Sequence, residues 1–127
     1  MQSESSRMSS AAEARFRIQS PPPTHRDIKL IDLDTATDAD VMRLIGEIER
    51  ADLVMMVVRA GGNTAPVGAI GTACSDLRVM THTVIVRDEP ATDAAVSKTL
   101  AQVRPWSLMV VVVDRRDYVD DILTSFR

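Results

Sequence analysis

Arg59, Gly61, Gly62, Asn63 and Thr64 stand directly behind the continuous apolar run Leu53-Val54-Met55-Met56-Val57-Val58. Two glycines let backbone amides approach an anion with no side chain in the way, and a helix starting just beyond them adds the positive end of its dipole. Asn63 and Thr64 can add hydrogen bonds, and Arg59 can add charge. The chemistry offered is the binding of a small anion, of the phosphate or nucleotide kind. The same two glycines also suffice simply to turn a chain from strand to helix. Neither the phosphate-loop lysine motif nor GxGxxG is reproduced, because Gly62, Gly68 and Gly71 have the wrong spacing.

Carboxylates form the second set. Asp88, Glu89, Asp114 and Asp117 gather after two further apolar segments, where they could coordinate magnesium or act as acid and base. Capping of helix amides uses the same positions. Asp88 and Asp114 join Arg59, Gly61, Gly62, Asn63 and Thr64 as the candidate ligand-binding residues. Cys74, Ser75 and His82 have the types needed for a nucleophile and its base. Cys74, however, falls late in an expected helix and His82 at the start of an expected strand, so no catalytic residue is assigned. Two imidazoles, His25 and His82, and one cysteine complete no zinc spacing. No metal site is expected, and no cofactor can be named.

These residues need a scaffold, and the hydrophobic pattern predicts one. Asp27 to Leu33 alternates weakly and suits an edge strand, since Lys29 and Asp32 limit its burial. Thr37 and Asp40 form a helix-capping pair. Behind them Val41, Leu44, Ile45 and Ile48 make one apolar stripe, with Arg43, Glu47 and Arg50 turned to water. The run ending at Val58 is continuous, as expected of a central parallel strand covered on both faces.

Pro66 opens a second helix through about Cys74. Its small residues, Ala65, Gly68, Ala69, Gly71, Thr72 and Ala73, suit close packing or self-association. Then come a strand over Thr83 to Arg87, a helix from Pro90 to about Val103, and a buried strand over Leu108 to Val113. A last helix, capped by Asp114, carries Tyr118, Val119, Ile122, Leu123 and Phe126 on one side. Alternating β and α elements predict a small three-layer α/β sandwich, Rossmann-like or flavodoxin-like, with about four parallel strands. Ligands in such sheets sit at the carboxyl ends of the strands, here residues 59–66, 87–92 and 113–117.

The chain has 127 residues, of which 45% are hydrophobic but only 3% aromatic, so the core must be aliphatic. Residues 1–26, rich in Ser, Ala, Gln, Glu and Arg and closed by Pro21-Pro22-Pro23, read as a disordered tail in which Phe16 and Ile18 are the apolar exceptions. Residues 27–127 then form one domain. The tail holds four arginines against two glutamates, and the domain eleven basic against sixteen acidic side chains. Its basic residues are scattered, so no nucleic-acid partner is expected. No apolar run is long enough for a membrane span, and a single cysteine with no leader pattern fits a reducing, cytoplasmic setting.

From Asp38 to Tyr118 the order of features resembles one stretch of the bacterial tubulin-like cell-division GTPases. The resemblance lies in an amphipathic helix, Ala51-Asp52-Leu53-Val54, a Gly loop, Ala65-Pro66-Val67 opening a helix, then Thr83-Val84-Ile85-Val86 and Leu108 to Val113. It covers about two-thirds of the chain. It implies a parallel α/β segment with a phosphate loop at Gly61-Gly62-Asn63-Thr64, a loop that carries fewer glycines than the family's alternating glycine and threonine signature. The family's earlier nucleotide-binding strands and its activating domain have no counterpart, so the resemblance implies a partial module rather than a self-sufficient GTPase.

Two functional expectations follow. One is a non-catalytic, homo-oligomeric module that binds a small anionic ligand or a protein partner at the 59–66 loop. The other is a small enzyme or enzyme subunit whose site is completed at an oligomer interface.

Overall fold

The computed structural model describes residues 27–88 and 91–126. The expected tail, with Phe16, Ile18 and His25, lies outside them, as do Glu89 and Pro90. Four strands, β1 (Ile28–Asp32), β2 (Leu53–Arg59), β3 (Met80–Val86) and β4 (Met109–Val113), alternate with four helices, α1 (Asp38–Glu47), α2 (Val67–Asp76), α3 (Asp93–Val103) and α4 (Asp117–Phe126). All strands are parallel, and their order in space is β1-β2-β3-β4. This is the small three-layer α/β sandwich the pattern predicts.

Local chemistry sets the helix starts. Thr37 Oγ1 accepts from the Asp40 N–H at 3.1 Å while Asp40 Oδ2 accepts from the Thr37 N–H at 2.9 Å, a closed capping box before α1. The bond from the Thr37 backbone, more than any other contact, holds the Asp40 carboxyl below its ordinary pKa. Thr92 does the same service for α3 through the Ala95 N–H. α4 begins at Asp117, so Asp114 lies three residues upstream in the connection instead of capping the helix. Tyr118 is also exposed, apart from the buried side of α4 formed by Val119 and Leu123.

Each of the first three crossovers steps one strand in the same direction. Right-handed connections of that kind bring their helices onto one face. Val41, Leu44, Val67, Ile70, Cys74 and Val103 accordingly pack on Ile31, Val54, Met56, Val58 and Ile85. Among the described residues α4 alone covers the opposite face, where Val119 and Leu123 meet Met55, Val57, Val84, Val86 and Val113. β2 is an inner strand covered on both faces, and it is apolar from Leu53 to Val58, before the exposed Arg59. Val54, Met55, Met56 and Val58 have no exposed surface.

β1 is an edge strand, as its charges foretell. β4 is the other edge. The expectation of a buried strand over Leu108 to Val113 is corrected here: Leu108 and Met109 are exposed and only Val113 is buried, because β3 stands between β4 and β2. An apolar run does not distinguish a covered strand from an edge strand. The small face of α2 meets a large neighbour, for a Cβ built on Gly71 would lie 2.7 Å from the Trp106 side chain. Trp106 thus covers Gly71 and lies beside Gly68, whereas Ala65, Ala69 and Thr72 stay exposed.

Candidate functional site

The carboxyl ends of the strands form a rim of short connections, and Asp34, just past β1, organises its centre. Asp34 Oδ2 accepts from the Arg59 N–H at 2.8 Å and Oδ1 from the Asn63 N–H at 2.9 Å. Asn63 completes the knot by accepting from the Ala65 N–H through Oδ1 and donating from Nδ2 to the Leu33 carbonyl. The Gly61 N–H donates to Thr99 Oγ1 of α3 at 2.8 Å, and the Gly62 N–H to the Arg59 carbonyl at 2.7 Å. The amides of Gly61, Gly62 and Asn63 are therefore donated internally, one of them to a carboxylate in the place an anion would take.

Both glycines have structural reasons. Gly61 has φ of +78°, a left-handed conformation that a side chain would strain. At Gly62 any Cβ would run into Asp34 Oδ1 and the Arg59 carbonyl, so glycine is what lets the carboxylate reach the loop.

The candidate residues divide between two places. Arg59 Nε lies 3.3 Å from Asp88 Oδ2, so this pair is brought together as an ion pair linking the ends of β2 and β3. Asn63 turns toward β1, whereas Thr64 turns away to donate to Gln102 Oε1 of α3 at 2.7 Å. Asp114 is exposed on the far edge with no ion-pair partner among the described residues. The other rim arginines are also paired: Arg87 with Asp93, Arg115 with Asp117, and Arg116 with Asp32 at 2.8 Å.

Connections leaving β1, β2 and β3 all pass to one face, and only that from β4 passes to the other. The parting of loops that makes a crevice in an open parallel sheet thus lies between β3 and β4, beside Asp88 and Asp114, rather than behind the Gly loop. A cleft does lie beside the Gly loop, lined by Asn63, Thr64, Lys98, Thr99 and Gln102. Lys98 brings to it an ammonium that has no ion pair among the described residues.

Cys74 and His82 are on opposite faces of the sheet. Cys74, on α2, is buried in the core between the helices and the sheet, where burial pushes its thiol up to about 11. His82 is under α4 with its ring edge-on to Phe126, centroids 4.9 Å apart, and burial lowers its pKa. A nucleophile and base separated by a sheet cannot exchange a proton. No group of three metal-ligating side chains occurs among the described residues, and no helix there is long and apolar enough to cross a membrane.

Asp34, Thr99, Lys98 and Gln102 escape a reading of the sequence. A carboxylate immediately after a strand was the one available signal for Asp34. Its partners 25 and 29 residues away in the chain leave no local pattern. Compared with protein-family models, with curated proteins and with solved structures, the chain has no significant match.

Proposed function

We propose that the domain is a non-catalytic binding module that works through contacts with protein rather than by turning over a small molecule. One observation carries this: the loop placed to receive an anion already holds the Asp34 carboxylate on two of its amides. The paired rim arginines add support, since a charge already neutralised by a neighbour has less to offer a ligand. A buried cysteine with a raised pKa and no disulfide partner is in keeping with a reducing, cytoplasmic setting.

Native-state ligand binding raises the melting temperature. The test is a thermal-unfolding panel of inorganic phosphate, pyrophosphate, nucleotides and sugar phosphates. The expected result is no shift. A saturable rise with any of them overturns this reading in favour of a second one, a small anionic ligand at the cleft beside Thr64. Lys98 favours that alternative, and a rise abolished by Lys98→Ala would establish it.

A further inference from the structure

We infer that β4 is a pairing edge for a second copy of this chain, two β4 strands running antiparallel about a twofold axis to make one eight-stranded sheet. This rests on the reading of the domain as a protein-contact module and names its partner.

The two edges of the sheet are built differently. Natural sheets blunt exposed edges with charge, and β1 follows that practice. Lys29 lies 3.5 Å from Asp27 and 3.9 Å from Glu47, and Asp32 is held by Arg116. β4 has no such guard. From Pro105 to Val113 there is no charged residue at all. Large apolar side chains crowd that edge instead, with Trp106 38%, Leu108 69%, Met109 36% and Val112 42% exposed.

Backbone geometry sets the register. Val113 pairs with Val86, and its carbonyl accepts from the Arg87 N–H at 2.7 Å. In a parallel ladder every second residue makes the bonds to the neighbouring strand, so Met109, Val111 and Val113 serve β3. Val110 and Val112 direct their N–H and C=O groups outward. A twofold axis normal to the sheet must pair residues that share a face. Centring on Val111 satisfies this and uses the whole strand. Val110 of each copy then exchanges two hydrogen bonds with Val112 of the other, four in all, and Met109 lies opposite Val113.

Charge fits the same arrangement. The register sets Asp114 of the second copy opposite Leu108, which lines a groove shared with Arg78 and Trp106. Arg78 has no ion pair among the described residues, and neither does Asp114. Antiparallel pairing brings Arg78, at the entry end of the sheet in one copy, to the end where Asp114 of its mate lies. A twofold interface counts each such match twice.

Sedimentation of the full chain over a wide micromolar range, with variants that fold as judged by circular dichroism, decides the matter. The wild type is expected to be a dimer. Val112→Lys places a charge on an already exposed edge position and should weaken dimerisation about a hundredfold, whereas Leu30→Lys on the β1 edge should leave it unchanged. Val112→Pro, which removes an outward N–H without touching the β3 ladder, supplies an independent second variant. A dimer indifferent to both Val112 variants overturns the pairing, as does a wild type that is monomeric throughout. Open-ended growth with concentration also overturns it, since joining β4 to β1 would not close. The ligand panel separates the two failures. A monomer that no anion stabilises sinks the pairing alone, and a monomer stabilised by phosphate or nucleotide sinks the protein-contact reading with it.

Discussion

Replacing Asp34 by alanine should both destabilise the domain and create an anion site that the wild type lacks. The carboxylate accepts from two backbone amides, at 2.8 and 2.9 Å, both near the surface. Hydrogen bonds to a charged acceptor are worth about 1.5–3 kcal/mol each, and solvent access keeps these at the lower end, so Asp34→Ala should cost about 2–3 kcal/mol. For a domain of this size that is a fall of roughly 10–20 °C in Tm. The two freed N–H groups then face a hole of carboxylate size beside Gly62. Phosphate at about ten times its Kd should return about 1.4 kcal/mol to the variant and nothing to the wild type.

Urea and thermal unfolding with and without phosphate measure both effects. Gly62→Ala extends the test. Its methyl collides with Asp34 in the wild type, so an overpacking cost of about 1–3 kcal/mol should shrink when Asp34→Ala is already present. The Asp34 account is refuted by an Asp34→Ala variant as stable as the wild type. It is equally refuted by phosphate stabilising both proteins alike, or by strictly additive double-mutant energies.

Gly71→Ala should destabilise by about 1–3 kcal/mol, because the new methyl would press on Trp106. Trp106 is the only tryptophan, so its fluorescence maximum should move with the mutation, and an unchanged spectrum would argue against the contact. His82 has a buried Nδ1 with no hydrogen-bond partner among the described groups and a pKa lowered by burial. The unfolded chain therefore takes up its proton first as pH falls. Stability from this residue is intact above the ordinary histidine value of about 6.5 and is lost as pH drops from there through the folded pKa. The gap between the urea midpoints of wild type and His82→Phe should be constant above that value and change only below it. Cys74, fully buried with its thiol raised to about 11, should react with a thiol reagent only as fast as the protein opens, and fast labelling of the native state would contradict the packing.

The element inventory was legible because helix and strand signals are local. The Thr37 and Asp40 pair announced α1, the six apolar residues from Leu53 to Val58 announced a strand covered on both sides, and the charges of β1 announced an edge. Errors came where a local pattern has two three-dimensional solutions. Val110 to Val112 look as apolar as β2 yet belong to an edge strand, and Tyr118 fits the helical period of α4 yet is exposed. For the candidate site, the Gly loop was found at its place after β2, and the Arg59 and Asp88 ion pair joins two of its residues. What that loop holds was not legible, since Asp34 reaches it from the next strand over.

The residues of this chain by themselves determined that it alternates strand and helix and that its strands run parallel, because hydrophobic period, caps and turns act over one helical turn or less. Tertiary structure alone decided the rest. Strand order put β4 at an edge, the uniform hand of three crossovers put Cys74 and His82 on opposite faces, and the approach of Asp34 filled the loop with the protein's own carboxylate. Each depends on segments more than twenty residues apart meeting through shared burial, and no local spacing encodes which of them will meet.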